Sequence, residues 1–314
     1  MPTLRASLSE RTSPAEALAR SASLLDAVRD GDARLYAAVL HGPAVVLGAR
    51  QRAGRVVDLA ACESAGVPVL RRATTGAAAA MHPTSILWTL ALPHVATLMP
   101  DATLATLLNR NVRLFLRGLL AAGAQAAYLG RDHIAVRHQA AVMLGYDVTR
   151  DGRVLVEALA GYEVSTALPH SLEAPEKLSP TRGRDPVALM GCVREEFTPS
   201  SLAKRVIEGA AERAEAELLW EIPAAVTAFG EVRDALDPLP KGATPMATRL
   251  VPIGCVESAT GPWAGGDALT ATWWLDDFAR AFAEDAELPP PPVLEGARVS
   301  DLVAVLEETR SAAR

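Results

Sequence analysis

An α+β fold built on a mixed or antiparallel sheet is what this sequence predicts, and two patterns predict it. Strand-like runs arrive first in pairs around helices and then as a meander, and nothing repeats as a βαβ unit. With 314 residues, half of them hydrophobic, the chain has ample length for a buried core.

The elements follow in order. Pro14 to Arg29 reads as a helix: Ser13 is placed to cap it, Pro14 takes its first position, Glu16 lies one turn in, and Leu18, Ala22, Leu25 and Val28 form its apolar face. Arg34–His41 and Ala44–Leu47 are apolar runs joined by Gly42–Pro43, hence strand, turn, strand. Asp58–Ala65 is a short helix stopped by Gly66, and Val67–Leu70 is a buried strand that runs into Arg71–Arg72. A loop of small residues, Thr74–Ala80, leads to the strand Ile86–Leu92. From Leu104 to Leu120 apolar residues keep helical spacing, and Gly123 ends the helix. Ala126–Leu129, Ile134–Val136, Ala140–Val148 and Val154–Tyr162 make the meander, with Asp151–Gly152 as a hairpin turn. Ser200–Leu219 is a second long helix. From Glu221 onward prolines and glycines become frequent. This predicts residues 1–222 as a core and 223–314 as a small C-terminal domain or packed appendage. Within the latter, helices at Thr272–Glu284 and Val299–Arg310 flank an extended Pro289–Pro292 run.

Composition narrows the function classes. A net charge of −6 with no basic stripe argues against nucleic acid as a partner. No apolar run reaches membrane-spanning length, and residues 1–16 hold no apolar leader segment. Three isolated cysteines, Cys62, Cys192 and Cys255, form neither a disulfide framework nor a zinc ribbon and fit a reducing cytoplasm. Six histidines without HxH or HExxH spacing give no metal site. A monomer is the default expectation.

The segment richest in chemistry is residues 67–82, VPVLRRATTGAAAAMH. A buried strand delivers two arginines into a loop of small side chains, over which backbone can approach a ligand closely. Successive N–H groups in such a loop hold an anion, and arginine grips a carboxylate or phosphate with paired hydrogen bonds. Taken alone, Arg71–Arg72 would read as a surface pair, His82 and His133 as structural histidines, and Ala77–Ala80 as helix start or core.

Taken together with its neighbours, this segment resembles the lipoate–protein ligase and octanoyltransferase family. In that family a strand is followed by Arg-Arg-x-Ser/Thr-Gly-Gly-Gly-Ala-Val-x-His. Here Arg71-Arg72-Ala73-Thr74-Thr75-Gly76-Ala77-Ala78 stands in that place. Upstream, Ala44–Leu47 followed by Gly48-Ala49-Arg50-Gln51 is similar to the family's strand and Gly-x-x-Gln. Downstream, Ser85–Pro93 matches the next strand, and Gly130–Val136 is similar to the family's Gly-Arg-Asn-Asp-Leu strand. The pieces run in order across about residues 15–220.

The resemblance implies a biotin/lipoate protein ligase-like mixed sheet flanked by helices. It also implies an activity: lipoate or octanoate is activated with ATP and Mg as an acyl-adenylate, or accepted from an acyl-carrier protein, and passed to a lysine of a lipoyl domain. By position, Arg71, Arg72, Thr74, Thr75, Gly76, Ala77, Ala78 and His82 would line the acyl and phosphate site, and Asp132 and His133 would meet the nucleotide. The chain departs from the pattern at several places. Thr75 and Ala77 replace two loop glycines, Met81 takes the motif's histidine position, and Asp132–His133 replaces Asn-Asp. The family lysine after that strand is missing, the chain reading Val136-Arg137-His138-Gln139-Ala140, with no lysine before Lys177. Arg137 or His138 is the candidate substitute for the lost ammonium. Two readings stay open: an active ligase or acyltransferase, or a degenerate member that binds an acyl group, nucleotide or lipoyl domain without turnover. Cys192 is either a transferase nucleophile or a buried small residue.

Overall fold

The structure is a computed structural model that describes residues 1–28, 31–174, 186–226 and 238–312. Its centre is an eight-stranded mixed sheet in the spatial order Glu217–Trp220, Thr3–Thr12, Ala33–Leu40, Ile86–Leu92, Val154–Ala160, Gln139–Val148, His133–Val136, Ala126–Tyr128. The first three strands run parallel to one another, and every later pairing is antiparallel. The expected α+β class with a mixed sheet is therefore what the chain builds.

Both faces of the sheet are covered, which is why its central strands are apolar throughout rather than alternating. Leu35, Ala37 and Val39 face the helices Leu107–Ala121 and Pro199–Ala214, while Tyr36, Ala38 and Leu40 face the helix Pro14–Ala27. Ser13 caps that helix as expected, accepting from the Glu16 N–H at 3.2 Å. A second, three-stranded sheet lies on the same side: Val69–Arg71, Ala44–Leu47 and Ala79–Met81. Ala44–Leu47 takes Val69–Arg71 in parallel on one edge and Ala79–Met81 antiparallel on the other.

Two features differ from the sequence reading. Thr3–Thr12, to which no element was assigned, is a long strand, because its every-second-residue Leu4, Ala6 and Leu8 pack on the helical core. The second long helix stops at Ala214, not Leu219: Glu215 is left-handed (φ 50°), and Glu217–Trp220 peels off to pair with Thr3–Ala6. Of the two readings of Ala77–Ala80, helix start or core, the second holds: Ala77, Ala79 and Ala80 are buried and Ala79–Met81 is a strand. Residue 29, the expected end of the first helix, and Lys177 lie outside the described residues.

The C-terminal residues form a meander, Pro245–Val251, Gly254–Ala259 and Trp263–Gly266, backed by the helix Val299–Ala312. A two-stranded ribbon, Leu269–Thr270 with Leu294–Glu295, and the helix Thr272–Ala283 complete this part. Buried charges join it to the core. Arg55 reaches Glu257 and Asp267, each at 2.8 Å, Arg52 reaches Glu257 at 2.8 Å, and both acids are fully buried. Burial works against the Arg55 charge, but Asp267 and Glu257 outweigh it and hold the guanidinium above its usual range. Removing this cation leaves buried Asp267 with only neutral donors, Gln51 and the Cys255 N–H, and Glu257 with Arg52 alone. Arg55→Ala is therefore expected to cost about 3–5 kcal/mol, read as a lower urea midpoint.

Candidate functional site

The strand Gln139–Val148 outruns its neighbour. His133–Val136 pairs with its first half only, so Leu144–Val148 would be an open edge. The loop after Val69–Arg71 closes that edge: the Thr75 N–H donates to the Tyr146 carbonyl at 3.1 Å.

The two arginines that enter this loop go opposite ways. Arg71 turns back, and its Nη1 donates to the carbonyls of Gly48, Ala49 and Gln51 at 2.7, 3.3 and 2.8 Å, fixing the turn after Ala44–Leu47. Arg72 turns inward and is fully buried. Its Nη2 donates to the carbonyls of Ala77 and Leu144 at 3.0 and 3.2 Å, while Nε and Nη1 have no partner among the described residues. Burial pulls its guanidinium below the usual arginine range, opposed by the negative charges of Glu157 and then Asp132. Glu157 is itself fully buried and accepts from the hydroxyls of Ser21 and Thr74.

Two glycines make room for this. At Gly145 a Cβ would stand 2.4 Å from Thr74 Oγ1 and 2.6 Å from Arg72 Cζ, so only the bare pleat admits the arginine under the loop. At Gly76 (φ 116°) a Cβ would stand 2.6 Å from Arg72 Nη2 and 2.8 Å from the Leu144 carbonyl. Sequence reading selected Gly76 and passed over Gly145 and Glu157. The signals for those two were a lone glycine and a lone carboxylate inside apolar strand runs.

The remaining selected residues separate into groups. Thr74 and Thr75 are fully buried in the loop, Ala77 is buried, and Ala78 is partly buried against the small apolar cluster that includes Val45 and Leu47. His82 is half-buried beyond the next strand, where burial pushes its imidazole pKa down. Asp132 and His133 are buried and hydrogen-bonded to each other at 3.0 Å. Asp132 Oδ2 and His133 Nε2 are left without a partner among the described residues. The Asp132 carbonyl accepts from Leu144 N–H at 2.7 Å, which brings this pair to the Arg72 end of the strand. Arg137 and His138 form the two-residue turn at the other end, both exposed and both left-handed (φ 50° and 66°). A strand's rise puts that turn about 15 Å along the chain path from Asp132. It lines a separate groove of about 320 Å³ with Gln125, Ala127, Leu129 and Ala135. Cys192 is buried, and burial pushes its thiol pKa up, opposed by Arg137.

The C-terminal part meets the loop at the same edge. Thr75 Oγ1 lies 2.8 Å from the carbonyls of both Tyr146 and Thr270 and accepts from Thr270 N–H at 3.0 Å. Tyr146 donates its phenol proton to the Leu269 carbonyl at 2.9 Å. Asp147 accepts from Thr272 N–H at 3.0 Å and Thr272 Oγ1 at 2.7 Å. Gln51 Nε2 donates to Asp267 at 2.5 Å. Burial raises the Asp147 carboxyl to about 6, opposed by its bonds from Thr272 and Val148 and by the Arg50 charge. Among the described residues no three His, Cys, Asp or Glu side chains gather as a metal site, and no helix is long and apolar enough to cross a membrane.

The lipoyl protein ligase A/B catalytic domain matches residues 13–164. A bipartite lipoate protein ligase of Thermoplasma acidophilum, described with its E2 lipoyl domain, superposes with a TM-score of 0.56 at 14% identity, over 75% of this chain and 91% of that one. A putative lipoate protein ligase of T. acidophilum with bound lipoic acid gives 0.55 at 15% identity, over 75% and 93%. A lipoate-protein ligase A bound with ATP gives 0.56 at 17% identity, over 75% and 92%. No curated protein matches the chain in sequence.

Two outcomes are expected from this geometry. Because the Asp147 carboxyl is raised in the folded chain, its contribution to stability is full below its ordinary value of 3.8 and lost as pH rises through about 6. Wild type should therefore gain about 1 kcal/mol between pH 7 and pH 5 that Asp147→Asn does not, measured by urea unfolding at both pH values. Replacing the turn by Arg137→Asn with His138→Gly relieves two left-handed side chains and should raise stability by about 1 kcal/mol in the same assay.

Proposed function

Residues 13–164 place this chain in the lipoyl protein ligase A/B family, a divergent member of the lipoate/biotin protein ligases, and from that premise we propose that it attaches a lipoyl or octanoyl group to a lysine of a lipoyl domain. In this reading residues 1–222 are the catalytic core and 223–314 an accessory segment. The observation that carries the reading is the buried Arg72, whose Nε and Nη1 have no partner among the described residues, under a loop that is itself built of small residues at Gly76 and Ala77. That is the donor set an anion needs, and it fits the carboxylate of a fatty acid and the phosphate of ATP.

In the proposed reaction a carboxylate oxygen of the acid attacks the α-phosphate of ATP and pyrophosphate leaves. The acceptor lysine, as free amine, then attacks the acyl carbonyl and AMP leaves. Arg72 would hold the phosphate charge as it develops, and Asp132 and His133, whose Oδ2 and Nε2 are unpartnered, would position the nucleotide. Magnesium would enter with the nucleotide phosphates. For the role of the missing lysine, Arg72 competes with Arg137 and His138. Its place in the loop favours it over a turn that lies a strand's length away. An acyl-carrier protein is the alternative donor of the acyl group.

A second reading, a non-catalytic member that binds an acyl group, nucleotide or lipoyl domain, is favoured by one observation: the Thr75 hydroxyl is already engaged by Thr270.

Octanoate-dependent ATP–pyrophosphate exchange tests both. The ligase reading expects exchange in wild type and a loss of about 10²–10³-fold in Arg72→Met. Loss in Arg137→Asn with His138→Gly instead would move the cation's role to the turn. Octanoyl-adenylate analogue binding without exchange would leave a carrier-fed transferase or the non-catalytic member, and transfer from octanoyl-carrier protein to a lipoyl domain separates those two.

A further inference from the structure

The loop at the centre of the site is not bare: Leu269 and Thr270, from a stretch of chain almost two hundred residues downstream, sit on it. A Cβ built on Gly76 would stand 2.9 Å from Leu269 Cδ2, so the leucine side chain lies directly on the loop's glycine. The Leu269 carbonyl accepts from Tyr146, and Thr270 engages the Thr75 hydroxyl with both its carbonyl and its N–H. Leu269 and Thr270 are fully buried by these contacts.

These contacts have the chemistry of an acyl group: a branched hydrocarbon on the glycine, with carbonyl oxygens held by two hydroxyl donors. We propose that Leu269–Thr270 occupies the small-residue loop as an internal surrogate ligand, and that an acyl ligand binds there by displacing it and taking over Thr75 and Tyr146. The proposal rests on the acyl-binding reading above and adds its regulation and two donors to it. Burial, reinforced by the charges of Glu295 and Asp147, pushes the Tyr146 phenol well above its ordinary range, so it remains a proton donor at any physiological pH.

The segment is built for local release. Leu269–Thr270 is a strand of two residues, paired only with Leu294–Glu295 among the described residues. Asp267, on its N-terminal side, is held by Arg55, Gln51 and the Cys255 N–H, a cluster that need not break when Leu269 lifts. Thr272, on the other side, is held by Asp147 and, at its carbonyl, by Arg50 Nη2 at 2.9 Å, and the Thr270 hydroxyl donates to the Val293 carbonyl at 2.8 Å, so release of Leu269–Thr270 must break a few single polar contacts. A ligand shifts this equilibrium only by its differential affinity for the open loop, so apparent affinity falls by the fraction of chains in which the segment is down.

The test is amide hydrogen exchange on the full chain with and without octanoate or the sulfamoyl analogue of octanoyl-adenylate, together with calorimetric affinities for wild type and Leu269→Ala. Competition expects the amides of Thr270 and Thr272 to exchange at least tenfold faster when the probe is bound, with the helix Pro199–Ala214 unchanged. It also expects Leu269→Ala to bind at least tenfold more tightly than wild type. Binding by Leu269→Ala alone supports the proposal. Probe-saturated wild type with unchanged exchange at Thr270 and Thr272 overturns it and leaves the acyl reading standing, and this arm does not depend on the variant folding. Failure of both proteins to bind either probe removes the acyl reading and the competition with it.

Discussion

The site depends on one mismatch of strand lengths. Gln139–Val148 has ten residues and its neighbour His133–Val136 four. The backbone groups of Leu144–Val148 therefore face an edge that no regular strand covers, and buried backbone groups must find partners. They find them in a loop and in a distant segment of the same chain: Thr75 on the Tyr146 carbonyl, Arg72 on the Leu144 carbonyl, Trp273 on the Val148 carbonyl at 2.7 Å. Most side chains implicated in function gather at that edge because of this pairing deficit.

Putting a guanidinium there is costly unless its donors are used. Arg72 spends only Nη2 on carbonyls, and Glu157, which offsets its charge, is bonded to Ser21 and Thr74 instead of to it. A fully buried arginine with Nε and Nη1 unpartnered among the described residues keeps donors that direct pairing with Glu157 would have used. By contrast Arg55, also buried, is paired with two carboxylates, and its work is to fasten the C-terminal part to the core.

The loop's departures from the family pattern have structural consequences. A glycine at position 75 would have no hydroxyl to share between Tyr146 and Thr270, so the threonine ties the loop to the C-terminal segment. The turn Arg137–His138 joins its strands with two residues and lines a different groove from the loop.

Periodicity was enough to read the long helices and the central strands, because an apolar face of period 3.6 or a short apolar run is imposed by burial and needs no knowledge of partners. The loop from Arg71 to Ala78 was legible too, since small residues after a buried strand and two arginines have few other uses. Thr3–Thr12 and Glu217–Trp220 were not, because each is a strand only by virtue of a neighbour far away in sequence. What the chain by itself determined was the α+β class, the loop and its candidate residues. Only the tertiary structure decided that Arg71 serves the backbone while Arg72 is the buried cation, that Gly145 and Glu157 belong with it, and that Leu269–Thr270 lies on the glycine. The reason is physical: side-chain direction at a strand end and long-range pairing depend on which edge is left open, and that is set by contacts between residues seventy to two hundred positions apart.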